Sequence, residues 1–313
     1  MSDNDLDRTK GASVAVTDAP TTVADREATQ LPAPEATGAV PATGRRHSGR
    51  RILGSSFVLL PLSFVVLIAA WYAYIEFGDV PTLLLPPPHS ILDRFLDGLF
   101  RAPSDSAGLL FHSWITLQEV AAGLVLGVVG GMLLAILMTE IRAVERVLSP
   151  YIMAFQALPK IAVAPLFLLW FGFGMSSKVA VAVVLVFFPM LINTVAGLKG
   201  VDPDQAELMR MLKASRLKEL RMVKLPFALP HIFAGLRIAI VMALVGAIVG
   251  EFIGGRHGLG ALLLTRQAFN DVAGVFAIFI ILCGMGAIGY GIVGLAEKRF
   301  LFWARRVRVD SGS

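Results

Sequence analysis

The sequence predicts an all-α integral membrane protein with six transmembrane helices. Of its 313 residues, 56% are hydrophobic and only 16% are charged, and the mean hydropathy is +0.71. A soluble domain is typically about half apolar and about a quarter charged. The apolar residues are also gathered in long blocks rather than spread evenly, and lysines and arginines flank these blocks on alternate sides. Lipid is therefore the expected solvent for most of the chain.

Six apolar blocks reach the length of roughly 20 residues that a transmembrane helix needs. They cover residues 57–75, 117–138, 147–171, 179–198, 230–253 and 272–295. Pro159 and Pro165 interrupt the third block. Since a proline removes a backbone donor and frees a carbonyl, we expect this span to face the helix bundle or a cavity, where the freed groups find partners.

The composition divides the chain into three parts. Residues 1–50 are rich in Ala, Thr, Pro, Asp and Glu without apolar periodicity, which predicts a disordered cytoplasmic N-terminal tail. This tail is too long and too acidic for the n-region of an ordinary signal peptide, so the first block is interpreted as an anchor. Residues 51–305 form the six-span domain, and residues 306–313 form a short C-terminal tail.

The basic residues predict the orientation in the membrane. They are abundant before the first block, between the second and third, between the fourth and fifth, and at the C-terminus. The opposite loops hold only Arg94, Arg101, Lys178, Arg256 and Arg266. The positive-inside rule then places both termini in the cytoplasm of a multi-pass membrane protein. It also explains the net charge of +5 without a nucleic-acid partner.

The loop at residues 199–226 carries signals for two short helices. Asp202 is a good N-cap, Pro203 suits the first helical position, and Gln205 stands where a capping box places it. We expect a turn near Lys213, followed by a second helix that is capped by Ser215. Two short amphipathic helices fit either a docking surface for a cytoplasmic partner or a pair that lies on anionic lipid.

The same loop resembles a known family. The segment 202–237, DPDQAELMRMLKASRLKELRMVKLPFALPHIFAGLR, is similar to the cytoplasmic coupling loop of bacterial ABC importer permeases. The stretches ALPKIAVAPLFLLWFGFG (157–174), FFPMLINTVAGL (187–198) and GLRIAIVMALVGAIVGEFIGGRHGLG (235–260) resemble the nitrate, sulfonate and taurine branch. The resemblance covers residues 55–305 and implies the fold of a type I importer permease.

The resemblance implies which residues couple the chain to its ATPase. These are Glu207, Leu208, Met209, Lys213, Ala214, Ser215, Leu225 and Pro226. Leu208 and Met209 stand where the family has two alanines, and Lys213 stands where it usually has glycine. Glycine permits a turn with positive φ, which lysine adopts only with strain. Either the turn has another geometry here or the helix continues through Lys213. We expect Pro226 to end the second helix.

Polar residues inside the spans are candidates for the translocation path, because placing them in a membrane is costly. The candidates are Gln156, Pro159, Lys160, Asn193 and Glu251. Structural roles are also open: Asn193 could bond a neighbouring helix, and Glu251 and Arg237 could extend to the interface. Lys160, beside a helix break, could attract an anion or pair with a carboxylate such as Glu119.

Small residues predict close helix contacts. Gly123 and Gly127 on the second span, and Gly246, Gly250 and Gly254 on the fifth, are each four residues apart. This spacing favours tight packing either within the bundle or across a dimer. The GMGAIG run at 284–289 lies in an apolar span without a preceding strand, so packing explains it better than dinucleotide binding. The single cysteine at position 283 is expected to be packed as well.

No motif predicts chemistry in this chain. It has no Walker motif, and its histidines lack metal-ligand spacing, so we expect no enzyme activity, no metal and no cofactor of its own. The resemblance implies a permease in the bacterial cytoplasmic (inner) membrane, in contact with membrane lipid, that forms a homodimer or else a pseudo-symmetric pair with a related subunit. Cytoplasmic ATP-binding subunits would bind ATP, and an extracytoplasmic substrate-binding protein would deliver the solute.

The branch implies import of a small anionic or polar organic solute, similar to sulfonate, taurine or nitrate, by alternating access. A thiamine-precursor pyrimidine or an aromatic acid is the alternative within the same class of transporter. An ion-coupled secondary carrier is the alternative from another class. Such a carrier would predict internal repeats and paired carboxylates in the middle of the membrane, and no clear repeat is present.

Overall fold

The computed structural model describes residues 53–78, 81, 83–101 and 108–301. The predicted tails at 1–50 and 306–313 lie outside these residues. The chain divides into Met1–Gly54 and Ser55–Ser313, and the packing described below belongs to the second unit.

Every regular element in the described residues is helical. The helices are α1 (Leu53–Gly78), α2 (Pro88–Phe100), α3 (Leu109–Glu140), α4 (Arg142–Ala157), α5 (Ala164–Phe171), α6 (Met175–Lys199), α7 (Pro203–Met211), α8 (Arg216–Glu219), α9 (Leu225–Gly254), α10 (Leu259–Ala268) and α11 (Val272–Phe300). A 3₁₀ turn, Lys160–Val163, joins α4 to α5, and a π-helical turn, Leu220–Lys224, joins α8 to α9.

The six predicted spans are present as five long helices and one broken helix. Among the described residues, α1, α3, α6, α9 and α11 are long and apolar enough to cross a membrane, and α4 with α5, bent by 92°, makes a sixth when the pair is counted as one broken span. The break follows from Pro159, because Leu158 before it is extended at φ −71° and ψ 137°, as residues before proline usually are. Pro165 begins α5 instead of interrupting it, since proline suits the first helical turn.

Helix α6 lies between α3 and α9 and packs most extensively against these two helices. Ala182 on α6 is completely buried where Gly123 of α3 and Gly246 of α9 approach it. A Cβ atom at Gly246 would lie 2.5 Å from the Ala182 Cα atom. The glycines that the sequence left open between bundle and dimer contacts therefore make contacts within this chain.

Helix α11 is packed on one side only. Gly289 approaches Ile240 of α9, but Gly284 and Gly291 have no atom of the described chain near the position of a Cβ atom. Cys283 is exposed, so the prediction that it is packed is wrong. The physical reason is that this face of α11 has no neighbouring helix within the described chain.

Asp271 joins three helices at one end of the bundle. Its carboxylate accepts a hydrogen bond from the Gly274 N–H at 3.1 Å and so caps α11. It also pairs with Arg266 of α10 at 2.6 Å and with Arg94 of α2 at 3.4 Å. We call this end, where α6 begins, the far end, and we call the end that carries α7 and α8 the loop end.

The contact at Ala182 gives a direct test of the packing. Gly246→Ala places a methyl group against α6, so we expect it to lower the stability of the bundle by about 1–3 kcal/mol. Gly291→Ala is the matched control, because nothing occupies the space of its new methyl group. The melting temperature of each variant in detergent checks this, and equal stability of both variants would contradict the packing.

Candidate functional site

Four of the five translocation candidates line one pocket. It has a volume of about 550 Å³ and lies between the broken span and the middle of α6 and α9. Its lining residues are Gln156, Pro159, Lys160, Ile161, Leu185, Phe188, Pro189, Ile192, Asn193, Ile238 and Met242. The pocket is therefore mostly apolar, with one lysine and two amides on its wall. We call it the central pocket.

Among the residues that the structure describes, Lys160 is the only charged side chain in the lining of the central pocket. Its Nζ atom donates a hydrogen bond to the carbonyl oxygen of Gln156 at 3.2 Å and lies 5.1 Å from the centre of the Phe188 ring. It thus satisfies a carbonyl at the end of α4 and makes a cation–π contact. It does not pair with Glu119, so the prediction of that pair is wrong.

Two other polar residues find partners within the chain. The Asn193 side chain donates to the carbonyl oxygen of Pro189 on its own helix at 2.8 Å, and not to a neighbouring helix. Arg237 donates to Tyr290 at 3.0 Å and forms an ion pair with Glu297. The expected extension of Arg237 to the interface is therefore replaced by a contact between α9 and α11.

Glu251 does not line the central pocket but belongs to a buried polar cluster at the far end. This far-end cluster consists of His112, Thr116, Glu119, Lys178 and Glu251, which are 6% exposed or less. Lys178 donates to Glu119 at 2.6 Å and to the His257 carbonyl at 3.1 Å. The expectation that Glu251 extends to the interface is wrong, because its carboxylate has hydrogen-bond partners inside the bundle.

Thr116 links Glu251 to the start of α10. The Thr116 hydroxyl donates to Glu251 at 2.6 Å and accepts from the Leu259 N–H at 2.8 Å. The Gly260 N–H also donates to Glu251. The first N–H groups of α10 have no acceptor within their own helix. The far-end cluster supplies these acceptors through Thr116 and Glu251.

Glycine is required where α9 turns into α10. Gly258 has φ of +116°, which side-chain-bearing residues rarely adopt, and a Cβ atom there would overlap the Glu251 carboxylate. Its N–H donates to His112 Nδ1 at 2.9 Å. The two glycines of the GLG sequence at 258–260 therefore allow the backbone to pass close to the buried Glu251 carboxylate.

The sequence did not reveal the role of Lys178. It stands at the start of an apolar block and was counted with the loop charges, but it is buried within the first turns of α6. One signal in the sequence does point to a buried cation. Two predicted spans each carry one glutamate, Glu119 and Glu251, and a buried carboxylate needs a charged or hydrogen-bonding partner. Nothing in the spacing shows that α6 supplies the cation.

The coupling loop begins and turns as its capping residues predict. The Asp202 side chain accepts from the Asp204 N–H at 3.0 Å, and Ser215 accepts from the Lys218 N–H at 3.4 Å. Lys213 has φ of 49°, and the Ala214 N–H donates to the Met209 carbonyl at 3.0 Å. This is the Schellman pattern that usually employs glycine.

Both alternatives for Lys213 are therefore wrong. The turn keeps the geometry that suits glycine, and the left-handed backbone conformation raises the conformational free energy of lysine by about 1–2 kcal/mol. A cation at the end of a helix recovers only about 0.3–1 kcal/mol through the helix dipole. The stability of the turn therefore does not explain why lysine, and not glycine, stands at position 213.

The prediction that Pro226 ends the second helix is wrong. The helix continues from Arg216 to Gly254 as one unit, with a π-helical turn directly before Leu225 and with Pro226 in the first turn of α9. In that turn the Leu225 N–H donates to the Leu220 carbonyl, one residue further back than in an α-helix. Leu225 and Pro226 are half-buried at the start of α9.

Ion pairs join the coupling loop to the loop end of the bundle. Lys224 pairs with Glu140 at the end of α3 at 2.8 Å and with Glu219 at 3.2 Å. Arg216 donates to the Glu140 carbonyl at 3.3 Å. Apolar side chains of the loop remain exposed, and they are Leu208, Met211, Leu212, Leu217 and Met222. The loop is thus fixed to the bundle on one side and has an uncovered apolar surface.

The described residues contain no group of three or more His, Cys, Asp or Glu side chains that could hold a metal ion.

Comparison with known proteins gives a consistent result. Residues 127–302 match the family described as "binding-protein-dependent transport system inner membrane component". The chain is 36% identical to a riboflavin transport system permease protein of Chloroflexus aurantiacus, over 78% of this chain and 89% of that protein. It is 37% identical to a formylaminopyrimidine transport permease protein of Halalkalibacterium halodurans, over 78% and 95%.

A further relative and a solved structure extend this comparison. The chain is 33% identical to a putative aliphatic sulfonates transport permease protein of Bacillus subtilis, over 86% of this chain and 96% of the relative. Its fold is similar to that of an amino acid ABC transporter solved with histidines, with a TM-score of 0.51 and 22% identity, over 70% of this chain and 99% of that one.

The far-end cluster predicts a specific pattern of stability. Lys178→Met leaves Glu119 buried without its cation and should lower the free energy of unfolding by about 3–5 kcal/mol. The double variant Glu119→Gln/Lys178→Met removes both charges and should recover most of that loss. Thermal unfolding of the purified variants checks this. A double variant no more stable than Lys178→Met would show that the two residues are not a pair.

Proposed function

Since this chain belongs to the family of binding-protein-dependent transport system inner membrane components and is a permease subunit of an ABC importer, we propose that it moves a small anionic or polar organic solute into the cytoplasm. Sulfonates, taurine and nitrate are the solutes of the branch that it resembles. The permease is a transporter subunit and has no ATPase activity of its own, and ATP is bound by the partner subunit.

The observation that carries this proposal is the position of Lys160. It is the one charge on the wall of an otherwise apolar and amide-lined pocket, midway along α6 and α9. In a medium of low dielectric, a cation interacts strongly with an anion that enters beside it. Gln156 and Asn193 add amide groups that hydrogen-bond an oxyanion, and the apolar wall suits an organic body.

A second candidate solute is an uncharged or weakly charged ring, such as a thiamine-precursor pyrimidine or an aromatic acid. The similarity to permeases named for formylaminopyrimidine and riboflavin favours it, as does the half-buried Phe188 ring on the pocket wall. Under this alternative, Lys160 serves mainly to satisfy the Gln156 carbonyl. Family membership removes the ion-coupled carrier from consideration.

The contacts of the loop end support a route from ATP hydrolysis to the central pocket. ATP-binding subunits dock on α7 and α8, whose apolar side chains are exposed. The pair between Lys224 and Glu140 passes their movement to the junction of α3 and α4, and α4 leads to the break at Pro159. A rigid movement of α4 changes the access of the central pocket, which is alternating access by a two-state switch.

The complete importer contains two permease copies, two ATP-binding subunits on their cytoplasmic loops and an extracytoplasmic substrate-binding protein. Both termini lie in the cytoplasm. The exposed apolar faces of α4 and α5, which flank the central pocket, support a pairing of two copies across it. Co-purification of two differently tagged copies tests the homodimer.

Substitution of Lys160 distinguishes between the two solute classes. In the complete importer, Lys160→Gln should lower the uptake of an alkanesulfonate about tenfold to a hundredfold, because a hydrogen bond to a charged group contributes about 1.5–3 kcal/mol. Lys160→Arg keeps the charge and should retain most of the uptake. Initial uptake rates into membrane vesicles measure both, and the amount of inserted protein is the control.

If Lys160→Gln transports sulfonate as well as the unchanged protein does, the anionic proposal is wrong. Uptake of formylaminopyrimidine that is equal in both proteins, without any sulfonate uptake, would establish the second candidate.

Glu207 tests the coupling loop. Glu207→Ala should reduce uptake at least about tenfold and loosen the ATP-binding subunit while leaving membrane insertion intact, because the side chain is exposed on α7 and its loss does not disturb the bundle. Asp204→Ala, on the first turn of the same helix, is the matched control and should transport normally. Normal uptake by Glu207→Ala would exclude its role in coupling.

A further inference from the structure

Between Asp202 and Arg221, the charged side chains that the structure describes as exposed are acidic before the turn and basic from the turn onward. Asp202, Asp204 and Glu207 lie at the beginning of α7 and are exposed. The residues from the turn onward are basic and also exposed, and we call them the cationic rim: Lys213, Arg216, Lys218 and Arg221. Glu219, the acidic residue among them, is already paired with Lys224.

The cationic rim borders the exposed apolar side chains of the loop. Leu212 and Met211 immediately precede Lys213, and Leu217 lies between Arg216 and Lys218; all three apolar residues are more than 60% exposed. An apolar centre with charges at its edge is the usual arrangement of a protein–protein interface. The loop therefore has the composition of a docking surface whose charged edge is mainly basic.

The backbone of Lys213 has a fixed conformation in this surface. Its backbone is held in the left-handed region by the hydrogen bond from the Ala214 N–H to the Met209 carbonyl. Glycine would adopt this conformation without strain, so the turn itself gives no reason for lysine. Among the described residues Lys213 also has no ion pair. Its exposed charge is therefore available for contact with another molecule.

We propose that the ATP-binding subunit of this importer presents one or more carboxylates beside an apolar groove to Lys213 and the rest of the cationic rim, so that Lys213 selects the matching subunit by charge. This rests on the proposed function, in which that subunit docks on α7 and α8. Charges at the edge of an interface act in this way, because they steer association and exclude partners of like charge.

The mixture of signs favours a protein partner over anionic lipid. An anionic membrane surface attracts basic residues and repels acidic ones. The exposed Asp202, Asp204 and Glu207 on the same short loop would oppose such binding. A protein surface can match both signs at once, with carboxylates opposite the cationic rim and a hydrogen-bond donor opposite Glu207.

The test uses the permease and its ATP-binding subunit produced together and extracted in a mild detergent. The measurement is the amount of ATP-binding subunit retained on the tagged permease as the NaCl concentration rises. Lys213→Gln removes the charge and keeps the backbone strain, whereas Lys213→Gly removes both. Lys213→Glu reverses the charge, and Arg256→Glu reverses an exposed charge at the far end as a control.

We expect Lys213→Glu to lower retention at least about tenfold at low salt, because like charges would face each other. Lys213→Gln and Lys213→Gly should both weaken retention to a similar, smaller extent and reduce its dependence on salt. Arg256→Glu should behave as the unchanged protein. A carboxylate-to-lysine change on the ATP-binding subunit that restores retention of Lys213→Glu would identify the partner residue.

Retention of Lys213→Glu equal to that of the unchanged protein at every salt concentration would overturn the inference. So would weakening by Lys213→Gly alone, since the backbone and not the charge would then matter. Unchanged retention with reduced co-purification of anionic phospholipid would assign the lysine to lipid and also reject it. If the unchanged permease retains no ATP-binding subunit at all, the proposed function itself fails.

Discussion

The close approach of α6 to both α3 and α9 is the contact on which the other features depend. Ala182 is completely buried between Gly123 and Gly246, and no larger residue fits at either glycine without displacing a helix. In lipid, helices gain little from the hydrophobic effect on association, so such van der Waals contact and buried hydrogen bonds hold them together. The same contact sets the rotation of α6, which directs Lys178 to the far-end cluster and Phe188 to the central pocket.

The two ends of the bundle are constructed differently, and this difference suits a transporter. At the far end, buried hydrogen bonds join α3, α6, α9 and the start of α10 through Glu251 and its neighbours. At the loop end, the pair between Lys224 and Glu140 is partly exposed and joins the loop to the beginning of the broken span. Partly exposed ion pairs are weaker than buried hydrogen-bonded networks. Under the proposed function, movement at the loop end reaches the central pocket while the far-end cluster keeps α3, α6 and α9 together.

Much of this architecture follows from local sequence rules, and the parts that do not follow depend on long-range packing. The spans, the break at Pro159, the cap at Asp202 and the cap at Ser215 each rest on one residue and its neighbours, and the structure contains them all. The continuation of the helix past Pro226 depends on a π-helical turn that no residue announces. The buried pair of Lys178 with Glu119 joins residues 59 positions apart, and the exposure of Cys283 depends on which helix faces are covered. A single sequence does not specify these pairings.

Lys178 and Lys160 differ in how their charges are balanced within the protein. Lys178 is 6% exposed and lies against a carboxylate and a carbonyl, so its charge is balanced within the protein and has no need of a ligand. Lys160 is half-buried beside an open pocket, and within the described part of the chain its partners are a backbone carbonyl and the face of a ring. A dipole and a quadrupole leave its net charge unbalanced. Under the proposed function, an anion that enters the central pocket supplies the balance, whereas Lys178 has no charge left to offer a solute.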